Sequence, residues 1–394
     1  MQLTTKQQEG LEIAVQRYND RLPYTCIAGY AGAGKSTLVK FIVEALGLQP
    51  ADVCYIAYTG KAALVLQEKG CPNAMTAHRL LYKSFPRRDG TFYHQPKRPL
   101  DSYYKLIVLD EVSMFPKTMW DLLLSHNIHV IALGDPGQLP PIGDDNGILA
   151  DPHIFLDEIM RQAQESEIIR LTMDIRAGKP LELFKGNEVQ IIDKKDVVEG
   201  MLLWADQIIC AKNETRRNIN SLVRKYKYGV ETNDPVEGDK VICLRNDWDN
   251  PSEVGDVMVN GLLGTVHNIR YGQPNKWLRK DLIADVLPDH YDIDDESLLL
   301  FEEDVFFRGL HIDNNLLTTG EPTVTAKNFK NFPKPIKPKE FDYGYCITCH
   351  KSQGSEYDKV LVFEEDFPFN NEDHIKFLYT AATRAKKKLV IVRA

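Results

Sequence analysis

Short apolar runs alternate with stretches of helical spacing over the first third of the chain. Tyr24–Ala28 reads as a strand and Lys35–Leu46 as a helix; Val53–Tyr58 is again strand-like and Lys61–Gln67 helical. Lys105–Leu109 and Ile128–Leu133 are two more short β-rich runs. Strands that are apolar throughout, separated by helices, predict a parallel sheet covered on both faces. Between the second and third of these strands, Asp89–Gly90 is flanked by Phe85 and by Phe92 and Tyr93, a pattern that predicts a hairpin. Further on, Ile168, Ile169, Leu171 and Ile175 place one helix over Glu165–Arg176, ending near Gly178. Gly238–Leu244 and Asp256–Ile269, broken by Gly255, Gly261 and Gly264, predict a small antiparallel barrel. A Pro/Lys connector over Phe332–Lys339 precedes three more strands, at Tyr345–Thr348, Lys359–Phe363 and Lys388–Val392. The α/β pattern thus resumes after an insertion.

Charge changes the picture of what such a fold would meet. The chain of 394 residues carries a net charge of −8, which argues against a polyanionic partner. Yet Asp281–Asp304 alone holds ten Asp/Glu and no Lys or Arg, so the rest is net positive. Arg79–Lys105 has seven Lys/Arg against two acids, with six Phe/Tyr interleaved. Lys327–Lys339 has five Lys and no acid, with Phe329 and Phe332 among them. Cations for phosphates and flat rings for unstacked bases suit single-stranded nucleic acid, although the same runs also read as a solvated loop and a linker. No apolar run reaches the ~20 residues of a membrane-spanning helix. Met1–Leu11 is too polar for a secretory signal, and seven scattered cysteines argue against a disulfide framework and for a reducing interior.

The chemistry begins at Gly29–Thr37, Gly-Tyr-Ala-Gly-Ala-Gly-Lys-Ser-Thr, placed after a strand and before a helix. This fits the P-loop pattern in its required context. Gly32 and Gly34 let backbone N–H groups curl around phosphates, Lys35 would reach the β- and γ-phosphates, and the Ser36 hydroxyl would ligate Mg²⁺. Leu106–Glu111 is an apolar strand ending in two carboxylates. Asp110 suits the Mg²⁺ shell, and Glu111 can deprotonate an attacking water. Leu133–Pro141 follows the next strand and presents Gln138, an uncharged group able to bond both water and γ-phosphate.

Taken in order, these motifs resemble those of superfamily 1 helicases, in particular the 1B branch of RecD-like and phage Dda-like DNA helicases. Leu3–Gln8 looks like the Q motif, Tyr58–Ala63 like motif Ia, and Thr76–Leu81 like the adjoining DNA-contact motif. Asp110–Met114 resembles motif II, Gly134–Pro141 motif III, and Leu156–Gln162 motif IV. Thr348–Glu356 resembles motif V and Tyr379–Ala385 motif VI. The resemblance implies two RecA-like parallel-sheet lobes, with a hairpin insertion in the first and an SH3-like β insertion in the second. It places the first lobe at 1–155 with a pin at 79–105, the second at 156–235 and 340–394, and the accessory domain at 236–339. It implies that Gln7 reads the adenine edge, that Thr37, Gly354 and Glu356 join the ATP site, and that Arg161 and Arg384 meet the γ-phosphate. DNA contacts would come from Thr59, Lys61 and His78, and from Thr348, His350 and Lys351, with Phe92 and Tyr93 as the strand-separating wedge.

The expected function is therefore an ATP- and Mg²⁺-dependent DNA helicase. It would act as a monomer on single-stranded and forked DNA, moving 5′ to 3′, with replication or repair proteins as its protein partners. A single-strand-stimulated ATPase that displaces proteins from DNA is the alternative. A P-loop kinase is a third reading, but it has no use for Arg161, Arg384 and the basic aromatic stretch together. Cys346 and Cys349 form a CxxC without the second ligand pair that zinc needs, so strand packing is expected there.

Overall fold

The structure, a computed structural model, describes residues 3–71, 73–86, 92–100, 103–140, 144, 146–158, 166–245, 258–273, 281–289, 307–323, 338–365 and 371–394. By packing, the chain divides into two units, one comprising 1–83, 94–197 and 352–394, the other 84–93 and 198–351.

The first unit contains a six-stranded parallel sheet. Its strands are β1 (Tyr24–Gly29), β2 (Val53–Ala57), β3 (Met75–Thr76), β6 (Leu106–Leu109), β7 (His129–Gly134) and β8 (Ile154–Leu156), in the order β3-β2-β6-β7-β1-β8. Alternation along each strand divides the core. Ile107, Leu109, Val130 and Ala132 face one side with Phe115, Trp120 and Leu123, whereas Leu106, Val108, Ile131 and Leu133 face the other with Leu38, Val39 and Ile42. Both faces are buried, which is why these strands read as unbroken apolar runs rather than as alternation. Helices α1 (Thr5–Asn19), α2 (Lys35–Ala45), α3 (Gly60–Glu68), α4 (Ala77–Leu81) and α5 (Lys117–Leu124) connect and cover them. Between β3 and β6, β4 (Tyr82–Pro86) and β5 (Phe92–Pro96) pair as the expected hairpin; its Asp89–Gly90 turn lies outside the described residues.

The same unit holds α6 (Glu167–Arg176) and a second run of strands. Here β18 (Tyr357–Phe363), β19 (Ala385–Arg393) and β10 (Val189–Asp193) are parallel, and β9 (Phe184–Lys185) is an antiparallel edge. Helix α11 (Asn371–Ala382) leads from β18 into β19.

The second unit contains the parallel pair β11 (Gln207–Cys210) and β17 (Cys346–Thr348), with α7 (Glu199–Trp204), α8 (Asn213–Tyr228), α9 (Asn314–Thr319) and the start of α10 (Cys349–Ser352). It also holds an antiparallel sheet of β12 (Lys240–Cys243), β13 (Leu263–Gly272), β14 (Asp281–Pro288), β15 (Phe307–Ile312) and β16 (Phe341–Tyr343), ordered β15-β14-β13-β12-β16. The first eight residues of the acidic segment form strand β14. Asp281 accepts from His311 Nδ1 at 2.7 Å, and Asp285 accepts from the Asn268 amide at 2.9 Å and from the Gly309 N–H at 2.7 Å. These acids are buried because the sheet supplies them with donors. A buried Arg224–Asp239 pair ties α8 to the start of β12, with the guanidinium 4.1 Å from the Tyr343 ring centroid and the Tyr345 hydroxyl 3.0 Å from Asp239.

Candidate active site

The P-loop turns at the end of β1 because Gly34 takes φ +79°, a left-handed conformation that costs glycine little, and α2 starts at the next residue. The Lys35 ammonium donates to the carbonyls of Gly29 at 2.7 Å and Tyr30 at 3.2 Å, which holds it over the loop. Gln7 is buried in the first turn of α1. Its amide oxygen accepts from the Thr4 N–H, completing a capping box, and its amide nitrogen donates to Ala33 O of the P-loop at 3.4 Å. In this arrangement Gln7 braces the phosphate loop directly.

Asp110 and Glu111 stand at the end of β6, one strand away from the P-loop strand's neighbour β7. The Glu111 N–H donates to Asp110 Oδ1 at 3.0 Å, and Glu111 itself sits at φ +54°. A non-glycine residue held there costs of order 1–3 kcal/mol, and such strain concentrates where a side chain must be aimed. Burial raises both carboxyl groups above their usual range. Lys35 gives the main opposing effect at Asp110, and Arg384 at Glu111. The site therefore holds two acids that stay charged only with cations beside them.

The Gln138 loop is gripped by side chains from the C-terminal part of the chain. Tyr379 Oη donates to Asp135 Oδ2 at 2.7 Å and accepts from the P-loop Ala31 N–H at 3.0 Å. Thr380 Oγ1 accepts from the Leu139 N–H at 2.9 Å, and Gln353 Nε2 donates to Leu139 O at 3.1 Å. Gln138 lies between these anchors. Its Oε1 is buried and has no hydrogen-bond partner among the described residues, an acceptor left open inside the site. Arg384, also buried, donates to Thr380 O at 3.1 Å, Ser355 O at 3.3 Å and Thr383 Oγ1 at 3.1 Å.

Of the remaining expected residues, Gly32 and Gly34 have positive φ, and Ser36 and Thr37 open α2. Gly354 takes φ +73°; a Cβ there would come 2.9 Å from Ala62 Cβ, so only glycine lets motif V lie against motif Ia. Glu356 reaches Lys69 at 3.8 Å. Thr59 caps α3 by accepting from the Ala62 N–H, Lys61 lies 4.8 Å from the Tyr357 ring centroid, and His78 packs between Tyr58 and Tyr82. In the second unit, Thr348 ends β17. His350 is held below the usual histidine range by burial, and Lys351 is lowered by burial and then by Arg216. Lys351 donates to Asn260 Oδ1 at 3.3 Å. Arg161 and the side chains of Phe92 and Tyr93 lie outside the described residues. Sequence reasoning passed over Asp135, Gln353, Tyr379 and Thr380 as working residues. All four stood inside recognised motifs, but the hydroxyls of Tyr379 and Thr380 and the amide of Gln353 carry no charge that would single them out, and Asp135 reads as an ordinary turn residue.

A phosphate-binding loop, a strand-end carboxylate pair and an arginine from a second parallel-strand layer define a P-loop nucleotide hydrolase. Comparison with known proteins refines the class. Residues 2–200 match the family model of the AAA domain, and residues 343–392 that of the UvrD-like helicase C-terminal domain. The ATP-dependent DNA helicase dda of Enterobacteria phage T4 is 22% identical, with 98% of each chain covered. The ATP-dependent RecD2 DNA helicase of Deinococcus radiodurans is 35% identical over 39% of this chain and 22% of its own. Among solved structures, a Pif1 helicase from work on unwinding at forked double-stranded DNA by two coordinating Pif1 helicases superposes with TM-score 0.55 at 20% identity, covering 99% of this chain and 92% of that one. The Bacteroides Pif1 helicase bound to ADP-AlF3 and single-stranded DNA gives 0.53 at 18%, with the same coverage. The chain belongs to the AAA-domain family and, within it, to the superfamily 1B helicases of the Dda and RecD type, and it shares the fold of the Pif1 structures.

Proposed function

We propose that this protein is an ATP-dependent DNA helicase that translocates 5′ to 3′ on single-stranded DNA and opens duplex DNA ahead of it. The observation that carries this reading is the grip of Tyr379, Thr380 and Gln353 on the P-loop and the Gln138 loop, which joins the hydrolysis site to the C-terminal strands. The dda and RecD2 relatives are ATP-dependent DNA helicases, which supports the same activity here.

The donor set fits a magnesium nucleotide. Ser36 and Asp110 offer the hard oxygen ligands Mg²⁺ favours, the two raised carboxyl groups call for added positive charge, and Gln138 Oε1 waits for a donor. Bound there, the ion supplies neutralisation of phosphate charge. Lys35 leaves its loop carbonyls to meet the β- and γ-phosphates, Glu111 takes the proton of the attacking water, Gln138 orients that water, and Arg384 with Arg161 balances charge on the transferring phosphoryl.

Two motor lobes, 1–155 and 156–235 with 340–394, would carry the strand, with 236–339 as an SH3-like accessory domain and the 79–105 hairpin as the pin. Thr59, Lys61 and His78 are the proposed contacts of the first lobe, Thr348, His350 and Lys351 those of the second, and Phe92 and Tyr93 the wedge. Among the described residues no helix is long and apolar enough to cross a membrane. We place the protein in the cytoplasm, acting as a monomer with replication or repair proteins.

The test is a fluorescent forked duplex carrying a 5′ or a 3′ tail. Strand separation with ATP on the 5′-tailed substrate alone is expected. Removal of a bound protein without strand separation supports displacement instead, and ATP consumption that ignores added oligonucleotide overturns both.

A further inference from the structure

One hydroxyl touches both the phosphate loop and the hydrolysis-sensing loop. Tyr379 Oη accepts from Ala31 N–H at 3.0 Å and donates to Asp135 Oδ2 at 2.7 Å. Both side chains are buried, Tyr379 at 1% exposure and Asp135 at 2%, so water does not stand in for either bond. Asp135 is itself fixed, because its other oxygen accepts from the Gly137 N–H at 2.9 Å. The ring lies close against the loop at Gly137, where a Cβ would come 2.9 Å from Tyr379 Cε1. One residue further, Thr380 holds Leu139 through its hydroxyl and Arg384 through its carbonyl. The geometry therefore runs from Ala31 through Tyr379 to both ends of the Gln138 turn, and along α11 to Arg384.

We infer that Tyr379, through its bonds to Ala31 and Asp135, is a positioning residue for ATP hydrolysis, setting the Gln138 loop and Arg384 in register with the phosphate loop. The hydroxyl keeps its proton, since burial and the Asp135 charge push its ionisation far above the usual tyrosine range, and it stays a donor at any working pH. A tyrosine fits this task because it offers both a donor and an acceptor at the end of a rigid ring, where phenylalanine offers neither. Its contribution falls on the geometry of reaction more than on the binding of nucleotide, which Lys35 and the remaining loop amides provide. The inference rests on the proposed ATP hydrolysis at the P-loop.

Tyr379→Phe deletes the two bonds and keeps the ring. Loosening a charge-assisted bond that orders reacting groups costs about tenfold or more in rate. We therefore expect kcat for single-strand-stimulated ATP hydrolysis to fall at least about tenfold while the KM for ATP moves less than about threefold. Asp135→Asn keeps the shape of Asp135 and weakens the same link. If the two act as one unit, the double variant should be little worse than the worse single variant. Gly137→Ala is the second route to the same geometry; it retains the hydroxyl and presses a methyl group against the ring, and should also lower kcat with KM nearly unchanged. Thermal melts of each variant separate folding from catalysis. A Tyr379→Phe protein that melts lower but keeps the parent kcat overturns the inference, as does a double variant whose loss is the product of the single losses. If the parent chain shows no nucleic-acid-stimulated hydrolysis, the proposed function fails first, so the two failures are distinct.

Discussion

Arg384→Gln removes one positive charge from the site while leaving a shorter, uncharged polar side chain. In the parent chain the guanidinium is 5% exposed and fills its donors with Thr380 O, Ser355 O and Thr383 Oγ1. Arg384 is also the strongest influence holding down the Glu111 carboxyl, whose ionisation burial has raised. Two effects follow. A cation that balances phosphoryl charge in the transition state contributes roughly 10³–10⁵ in rate, about 4–7 kcal/mol of barrier. Glu111 should in turn titrate at a higher pH, because the charge that favoured its carboxylate is gone. Since the carboxylate is the form that accepts a proton from water, the acid limb of the pH–rate profile should move toward neutrality. The assay is steady-state ATP hydrolysis with saturating single-stranded DNA, profiled from acid to neutral pH, with fluorescent-nucleotide binding as a control. Binding should persist while kcat falls by about three decades or more. A kcat within about tenfold of the parent would remove Arg384 from the catalytic set, and an unmoved acid limb would break its link to Glu111.

Lys35→Ala and Glu111→Gln should each abolish hydrolysis, with nucleotide binding retained in Glu111→Gln; turnover in either variant, measured by phosphate release, contradicts the phosphate-site assignment. Phe92→Ala should reduce unwinding of a forked duplex more than stimulated ATP hydrolysis, and equal loss of both would remove Phe92 as the wedge. Arg224→Ala leaves Asp239, which is fully buried, without its ion-pair partner. Breaking such a pair costs about 3–5 kcal/mol, so chemical denaturation should show a loss of that size, and a loss below about 1 kcal/mol would mean the site rehydrates freely.

How far these sites can be read from the chain depends on whether their chemistry is charged or neutral. The parallel sheet was legible because β1, β2, β6 and β7 are buried on both faces and so appear as apolar runs. The long helix α8 was not anticipated. Arg216, Asn220 and Arg224 lie on its buried side, where they pair with Asp342, backbone groups and Asp239, so its inward face is masked by polar residues. The acidic segment was open for the converse reason, since its carboxylates match no motif that would give them a role. Yet Asp281 and Asp285 are inward residues of β14 whose donors come from β13, β15 and the bend around Gly309, all distant in sequence. The active site divides along the same line. Lys35, Asp110, Glu111 and Arg384 are charges set in motifs whose spacing matches the proposed phosphate chemistry. By contrast, Tyr379, Thr380 and Gln353 become meaningful only when folding brings α11 and the turn before β18 against the loop after β7. Motif spacing records the groups proposed to meet the nucleotide. The neutral hydrogen bonds that join those groups into one unit are fixed by tertiary pairing, and no local pattern of the chain encodes them.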